Sequence, residues 1–169
     1  IPRYGANLFN IEPVRDRVLV NFSDVRDGHS LEYLVADQDL IFSLAEAAAI
    51  PFGGGPLAEQ WHWFNHLLVA PDSKRFTFLH RWRAKGPDDA GFAVNNGFVT
   101  RMFTMNLDGS DPFIIDPSGH TSHFIWRDAS HITAWTRPEG RKDAFYLLED
   151  KTGEFAVVVF DLVADFIRP

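Results

Sequence analysis

The chain contains no cysteine, so disulfides and thiolate metal sites are excluded. It also lacks a long apolar run, because the longest, Phe155 to Phe160, has the length of a buried strand rather than the roughly 20 residues of a membrane-spanning helix. Basic residues are scarcer than acidic ones, and the formal net charge of −7 argues against a nucleic-acid partner or an anionic membrane surface. No targeting segment is evident, and we expect a soluble protein of the cytoplasm or periplasm.

What the chain does have is apolar residues in short runs. Of its 169 residues 46% are apolar, including sixteen Phe and five Trp, which is enough for one domain with a buried core. Runs of four to eight residues, separated by turn residues, predict an all-β protein. The predicted strands are RVLVNF, SLEYLV, HLLVA, RFTFLHRW, RMFTMNL, PFIIDP, SHFIW, HITAWT and AFYLLED. One helical turn is predicted over Ala45–Ala49, ended by Pro51.

Two segments repeat one design. FNHLLVAPDSKRFTFLHRW and TSHFIWRDASHITAWTRP each run from a histidine through an apolar strand and an Asp turn to a second strand with an aromatic end. A third strand and a polar turn follow each pair, RMFTMNLDGSD in the first copy and AFYLLEDKTGE in the second. Four-stranded meanders that repeat at about fifty residues are typical of β-propeller blades.

These motifs carry a family resemblance. APDSKRFTFL followed by RMFTMNLDGSDPFII resembles the TolB-type propeller repeat, and the histidines in register with these turns resemble the middle blades of oligogalacturonate lyases. That family consists of seven-bladed propellers that cleave short pectin fragments by β-elimination. The similarity covers about residues 57–154, and the blade-like repeats span about 57–118 and 119–169. Residues 1–56 add little to the resemblance.

The length of the chain bears on this prediction. Treated as a single domain over residues 1–169, it holds about three blades, whereas closed propellers have about four to eight. We therefore expect antiparallel four-stranded meanders in an incomplete ring. The exposed sheet edges of such a ring are sites for self-association with another copy.

The resemblance implies a site. β-Elimination on a uronate needs a base with a pKa near the working pH, and a cation or metal beside the substrate carboxylate. Positions that match functional residues of the family are His80, His66 and Arg101. By resemblance, His80 or His66 is the base candidate, and Arg101 binds the carboxylate of a small oligosaccharide uronide.

The resemblance also implies a divalent metal, manganese in that family, with His123 in SHFIW as one ligand. The family's remaining metal ligands come from the next blade, and no counterpart follows Glu154. A catalytic metal site needs about three protein ligands. The metal therefore rests on His123 alone.

Structural roles compete with these assignments. His66 and His123 can be blade-start histidines whose ring N–H binds a backbone carbonyl. His80 can be structural or solvated, because FLHRW leads towards a surface loop. Arg81 begins a small basic cluster that is typical of a solvated face. The tryptophans favour core packing over a sugar platform.

Three functions remain open from the sequence. The first is a carbohydrate-active propeller similar to oligogalacturonate lyase. The second is a non-catalytic TolB-type module that binds a protein or peptide. The third, less favoured, is a compact β-barrel or sandwich that binds a hydrophobic ligand. Phosphate-loop, dinucleotide, nucleophile-elbow and H-E-x-x-H motifs are absent from the sequence.

Overall fold

The computed structural model describes residues 11–14, 17–26, 29–36, 39–53, 57, 60–84 and 97–158, and only the backbone of 11–40, Trp61 and Ala84. Three four-stranded antiparallel sheets are formed, each from four consecutive strands in chain order. We refer to them as the first, second and third sheets. The mostly β architecture and the antiparallel meanders agree with the sequence pattern.

The first sheet consists of β1 (Ile11–Val14), β2 (Arg17–Arg26), β3 (His29–Ala36) and β4 (Asp39–Ser43). It is followed directly by the helix α1 (Leu44–Ala49). The second sheet consists of β5 (Gln60–Val69), β6 (Arg75–Ala84), β7 (Val99–Asn106) and β8 (Phe113–Gly119). The third consists of β9 (Phe124–Trp126), β10 (His131–Thr136), β11 (Ala144–Glu149) and β12 (Phe155–Val157).

The predicted turns join these strands. Residues 70–74 connect β5 to β6, where the Ala70 amide donates to the carbonyl of Arg75 at 2.8 Å. Asp108-Gly109-Ser110 connects β7 to β8, and Gly109 has a φ of +83°, which glycine adopts without steric cost. A Cβ at Gly109 would lie 2.5 Å from the carbonyl oxygen of Ile41 on β4. The glycine therefore also lets this turn approach the first sheet.

Two apolar cores pack neighbouring parts of the chain against each other. The first lies between the second sheet and the β4–α1 segment. It contains Phe42, Leu44, Ala47, Phe64, Leu67, Phe76, Phe78, Phe103 and Met105. The second core lies between the second and third sheets. It contains Ala70, Leu79, Met102, Ile115, Trp126, Ile132, Ala134, Tyr146 and Leu148. Because successive side chains of a strand point to opposite faces, the second sheet supplies residues to both cores.

The first strands of the sheets lie next to one another, since β1 contacts β5 and β5 contacts β9. The described strands form three open sheets rather than one closed barrel. Among the described residues, no helix combines the length and the apolar character needed to cross a bilayer. The glycine loop at Gly54-Gly55 and the end of the apolar run at Phe160 lie outside the described residues.

A polar network fastens the second sheet to the third. The Nε of Arg75 on β6 donates to Asp150, which follows β11, at 2.7 Å, and both side chains are largely buried. Thr104 on β7 donates its hydroxyl to the other oxygen of the same carboxylate. Arg75 also reaches Asn106 and Asp111, and Lys151 pairs with Asp111. A buried ion pair with its remaining hydrogen bonds satisfied holds a defined geometry.

Candidate functional site

Two of the predicted site residues, His80 and Arg101, face each other across β6 and β7. They are paired in the strand register, and neither side chain is exposed to solvent. The Nε of Arg101 donates to Nδ1 of His80 at 3.2 Å. The sequence left open whether His80 is structural or solvated. In the structure its side chain is fully buried within β6, and the residues that follow this strand at 85–96 lie outside the described residues.

The rest of the Arg101 guanidinium binds the end of α1. Its Nη2 donates to the carbonyl of Ala47 at 2.6 Å, and its Nη1 donates to those of Ile50 and Pro51 at 3.0 and 3.2 Å. The last carbonyls of a helix lack intrahelical donors and carry partial negative charge, so a cation there is favourable. Burial lowers the pKa of Arg101 to about 10, which leaves it charged at neutral pH.

The hydrogen bonds continue through a second histidine that the sequence analysis left without a role. Nε2 of His80 lies 2.9 Å from Nδ1 of His62, and Nε2 of His62 lies 2.7 Å from the carbonyl oxygen of Leu57. Arginine can only donate, so Nδ1 of His80 carries no proton and its Nε2 donates to His62. Nε2 of His62 then donates to Leu57. The geometry therefore assigns both rings as neutral Nε2–H tautomers.

Burial, with Arg101 and His62 close by, holds the pKa of His80 well below its usual value. Both nitrogens of His80 and at least three of the guanidinium nitrogen donors of Arg101 are occupied by protein groups. In this arrangement, binding of a substrate carboxylate by Arg101 requires α1 to move away. We call His62, His80 and Arg101 the buried chain.

The other two predicted residues, His66 and His123, lie at the surface near each other. His66 sits in the bulge of β5 between Asn65 and Leu68, with a φ of +55° that is uncommon for a residue with a side chain. Its ring packs edge-on against Phe124, with centroids 6.3 Å apart. Its pKa is lowered, first by partial burial and then by the charges of Arg81 and His123. His66 is therefore mostly unprotonated at neutral pH.

His123 directly precedes β9, and its ring is exposed. Its Nδ1 lies 2.9 Å from the hydroxyl of Ser122, and its backbone carbonyl accepts from the amide of Trp135 at 2.7 Å. Because β5 contacts β9, the two histidines meet at the junction of the second and third sheets. A ring-to-carbonyl bond, which was the alternative considered for His66 and His123, is made by His62.

Arg81 completes this surface. It follows His80 on β6 and therefore points to the opposite face of the sheet. Its guanidinium lies 4.9 Å from the ring centroid of Phe98, which is about half exposed. Its buried Nε has no hydrogen-bond partner within the described residues, and burial lowers the pKa of Arg81. We call His66, His123 and Arg81 the histidine surface.

The histidine surface does not by itself fit a catalytic metal. In the part of the chain that the structure describes, no three His, Cys, Asp or Glu side chains converge on one point. His66 and His123 are two imidazoles, fewer than the three protein ligands of a working site. The residues present therefore support no metal-dependent step, and the metal predicted at His123 stays a prediction.

The chain matches no family model, no curated protein and no solved structure.

The four predicted site residues form two groups in the structure, one buried and one exposed. The sequence analysis gave no role to His62. The bulge between Asn65 and Leu68 shifts the register by one residue, so that Phe64 pairs with His80 and His62 lies on the same face, diagonal to His80. The turn after Ala70 alone would place His62 on the opposite face, so its position could not be read from the turn.

Proposed function

We propose that this chain is part of a β-propeller-type, carbohydrate-active protein that performs β-elimination on small anionic uronides at the histidine surface. The observation that carries the proposal is the neutral, exposed imidazole of His66 beside a second imidazole and a guanidinium. A general base must be unprotonated at the working pH before it can accept a proton. A lowered pKa keeps such a base in its proton-accepting form at neutral pH.

The reaction assigns each group one task. His66 takes the proton from the carbon that carries the carboxylate. The electron pair left behind forms a carbon–carbon double bond, and the glycosidic oxygen on the next carbon leaves and takes up a proton. Arg81, whose charge acts on His66, neutralises the substrate carboxylate and the negative charge that develops on it. Phe124 beside His66, and Phe98 beside Arg81, offer apolar rings to the sugar.

The stacking of the sheets supports the propeller part of the proposal. Three four-stranded meanders follow one another, and their first strands adjoin. In a propeller the first strands line a central channel. The histidine surface lies beside β5 and β9, which are two of these strands, so we propose that it faces such a channel.

An absorbance assay tests the proposal. The unsaturated product absorbs in the ultraviolet, so oligogalacturonides are incubated with concentrated protein, with and without manganese. We expect a gain in absorbance that falls by about 10²–10⁴-fold in His66→Gln, the usual contribution of a general base. His131→Gln is the matched control, because its ring is held by Asp128 in a turn. No gain with the unchanged protein, or an equal rate in His66→Gln, would overturn the proposal.

The metal is tested separately, by elemental mass spectrometry before and after His123→Ala. About one equivalent of manganese or zinc that is lost in the variant would make His123 a ligand, with further ligands outside the described residues. Absence of metal in both samples would remove the metal from the proposal and leave His66 as the base.

The second candidate is a non-catalytic TolB-type module that binds a protein or peptide. One observation favours it: the buried chain uses His80 and Arg101 to hold α1, so two residues that resemble an active site serve the fold. A module of this kind gives no absorbance gain and binds its partner equally in the unchanged protein and in His66→Gln. Turnover that depends on His66 would exclude it.

A further inference from the structure

The third sheet repeats the second strand by strand. Thr77 pairs with Leu68 on one side and Thr104 on the other, and Thr133 pairs with Ile125 and Leu147 in the same pattern. Two residues further along, Leu79 pairs with Met102 and Trp135 with Phe145. Each residue of the second sheet that faces the third therefore has an equivalent on the opposite, outer side of the third sheet.

Equivalent positions differ in exposure. Leu79 is fully buried, whereas its equivalent Trp135 is 37% exposed. Leu68 packs against the second core, whereas its equivalent Ile125 is 63% exposed. We call the surface formed by Ile125, Thr133, Trp135 and Leu147 the outer face.

The outer face has the composition of a sheet-packing surface. Apolar residues here alternate with the buried residues of the second core, Ile132, Ala134, Tyr146 and Leu148. A sheet with one solvated face normally carries polar residues on that face. An exposed apolar patch of several large side chains marks an interface. The repeat indicates that the outer face packs against a four-stranded sheet, because the equivalent face of the second sheet is covered by one.

We infer that the outer face packs against the first sheet of a second copy of this chain. The described strands of each copy stack in three sheets, and among these residues the outer face and one side of the first sheet lie at the two ends of the stack. Three blades are too few for a closed ring, but two copies supply six described sheets, a number within the roughly four to eight blades of closed propellers. A two-fold axis then makes the two junctions identical and leaves no end open. This inference does not depend on the chemistry of the histidine surface.

The mass in solution tests it. Multi-angle light scattering and native mass spectrometry of the unchanged chain are expected to give a dimer that dissociates on dilution. Ile125→Glu with Trp135→Glu is expected to give a monomer with an unchanged far-ultraviolet circular dichroism spectrum, because a carboxylate cannot be buried there unpaired. Phe98→Glu, an equally drastic change at an exposed ring away from the outer face, is the control and keeps the dimer.

Three outcomes would overturn the inference. The first is a monomer at every concentration, which would mean that another sheet or no sheet covers the outer face. The second is a dimer that survives the double substitution, which would move the interface elsewhere. The third is a growing series of larger species, which would show that the stack extends without closing. If the double glutamate variant does not fold, the milder Ile125→Ser with Trp135→Ser is measured in its place. We expect this serine variant to dissociate at a higher protein concentration than the unchanged chain.

Discussion

Each face of the second sheet carries a histidine close to an arginine, but the pair on one face is buried and hydrogen-bonded whereas the pair on the other lies at the surface. His80 and Arg81 are neighbours on β6, yet one faces α1 and the other faces the third sheet. His80 meets Arg101 in the buried chain, and Arg81 meets His66 on the histidine surface. A histidine near an arginine is therefore no sign of a site in itself. What distinguishes the two faces is solvent access and whether the hydrogen-bonding groups are already used.

The difference has a local cause. The helix α1 has only six residues and ends against the second sheet, where the carbonyl of Ala47 accepts from the amide of Ile50. Arg101 adds donors to the carbonyls of Ala47, Ile50 and Pro51, and its Nε donates to His80, which in turn binds His62. Within the described part of the chain no helix end binds Arg81, and its Nε has no hydrogen-bond partner there.

The largest expected effect comes from Arg101→Met. Loss of the guanidinium leaves the buried Nδ1 of His80 without its donor and removes the cation from the end of α1, and we expect the free energy of unfolding to fall by about 3–5 kcal/mol. Arg81→Met makes the same chemical change on the other face and is expected to cost about 1 kcal/mol or less. Urea denaturation of both variants measures the contrast. Equal losses would contradict the distinction between the two faces.

A pH series addresses His80 directly. Burial lowers the pKa of His80 in the fold from its ordinary value of about 6.5, so the unfolded chain binds the proton more readily. The stabilisation is therefore complete above about pH 6.5 and is lost as the pH falls below it, by at most about 1.4 kcal/mol per pH unit for one proton. We expect denaturation curves to show this slope, and His66→Gln to keep most of it. A slope that disappears in His66→Gln would assign the effect to the exposed face.

The start of α1 offers a smaller perturbation of the same helix. The hydroxyl of Ser43 accepts a hydrogen bond from the amide of Glu46, and the carboxylate of Glu46 accepts one from the amide of Ser43. Ser43→Ala is expected to cost about 1 kcal/mol, as is usual for such a cap. Chemical denaturation should therefore show a smaller loss than for Arg101→Met. A larger loss would mean that α1 is held at its start rather than by the buried chain.

The smallest expected effect on stability is that of His66→Gly. The positive φ of His66 is unstrained for glycine, which offsets the entropy that glycine loses on folding. We expect the free energy of unfolding to change by about 0.5 kcal/mol or less. The same variant should lose the ultraviolet absorbance gain with oligogalacturonides. Strain kept at a residue that folding does not need is typical of functional positions.

Much of the fold was predictable because its signals are local. Alternating apolar residues and the Pro71-Asp72 and Asp108-Gly109 turns mark the strands of the second sheet, and Pro51 marks the end of the helical turn. Trp82 and Trp126 are buried, as the composition favours, whereas Trp135 is partly exposed. That exposure depends on which sheet follows in the stack, and a local pattern carries no information about it.

The candidate site was predictable only in part, for the same reason. The repeat placed His66 and His123 at corresponding starts of two meanders, and adjacent first strands bring them together. The burial of Arg101 depends on α1, some fifty residues earlier in the chain. No spacing rule connects a strand arginine to the end of a distant helix.

The link between Arg75 and Asp150 has a consequence for the order of events during synthesis. The two residues are 75 positions apart, so at roughly 5–20 residues per second the ribosome adds Asp150 about 4–15 s after Arg75. The second sheet is complete only when Gly119 at the end of β8 has been added, and from then until Asp150 follows it carries a cation without its main counter-ion. We expect the nascent second sheet to stay sensitive to protease until the third sheet has emerged and the two lock together in one step.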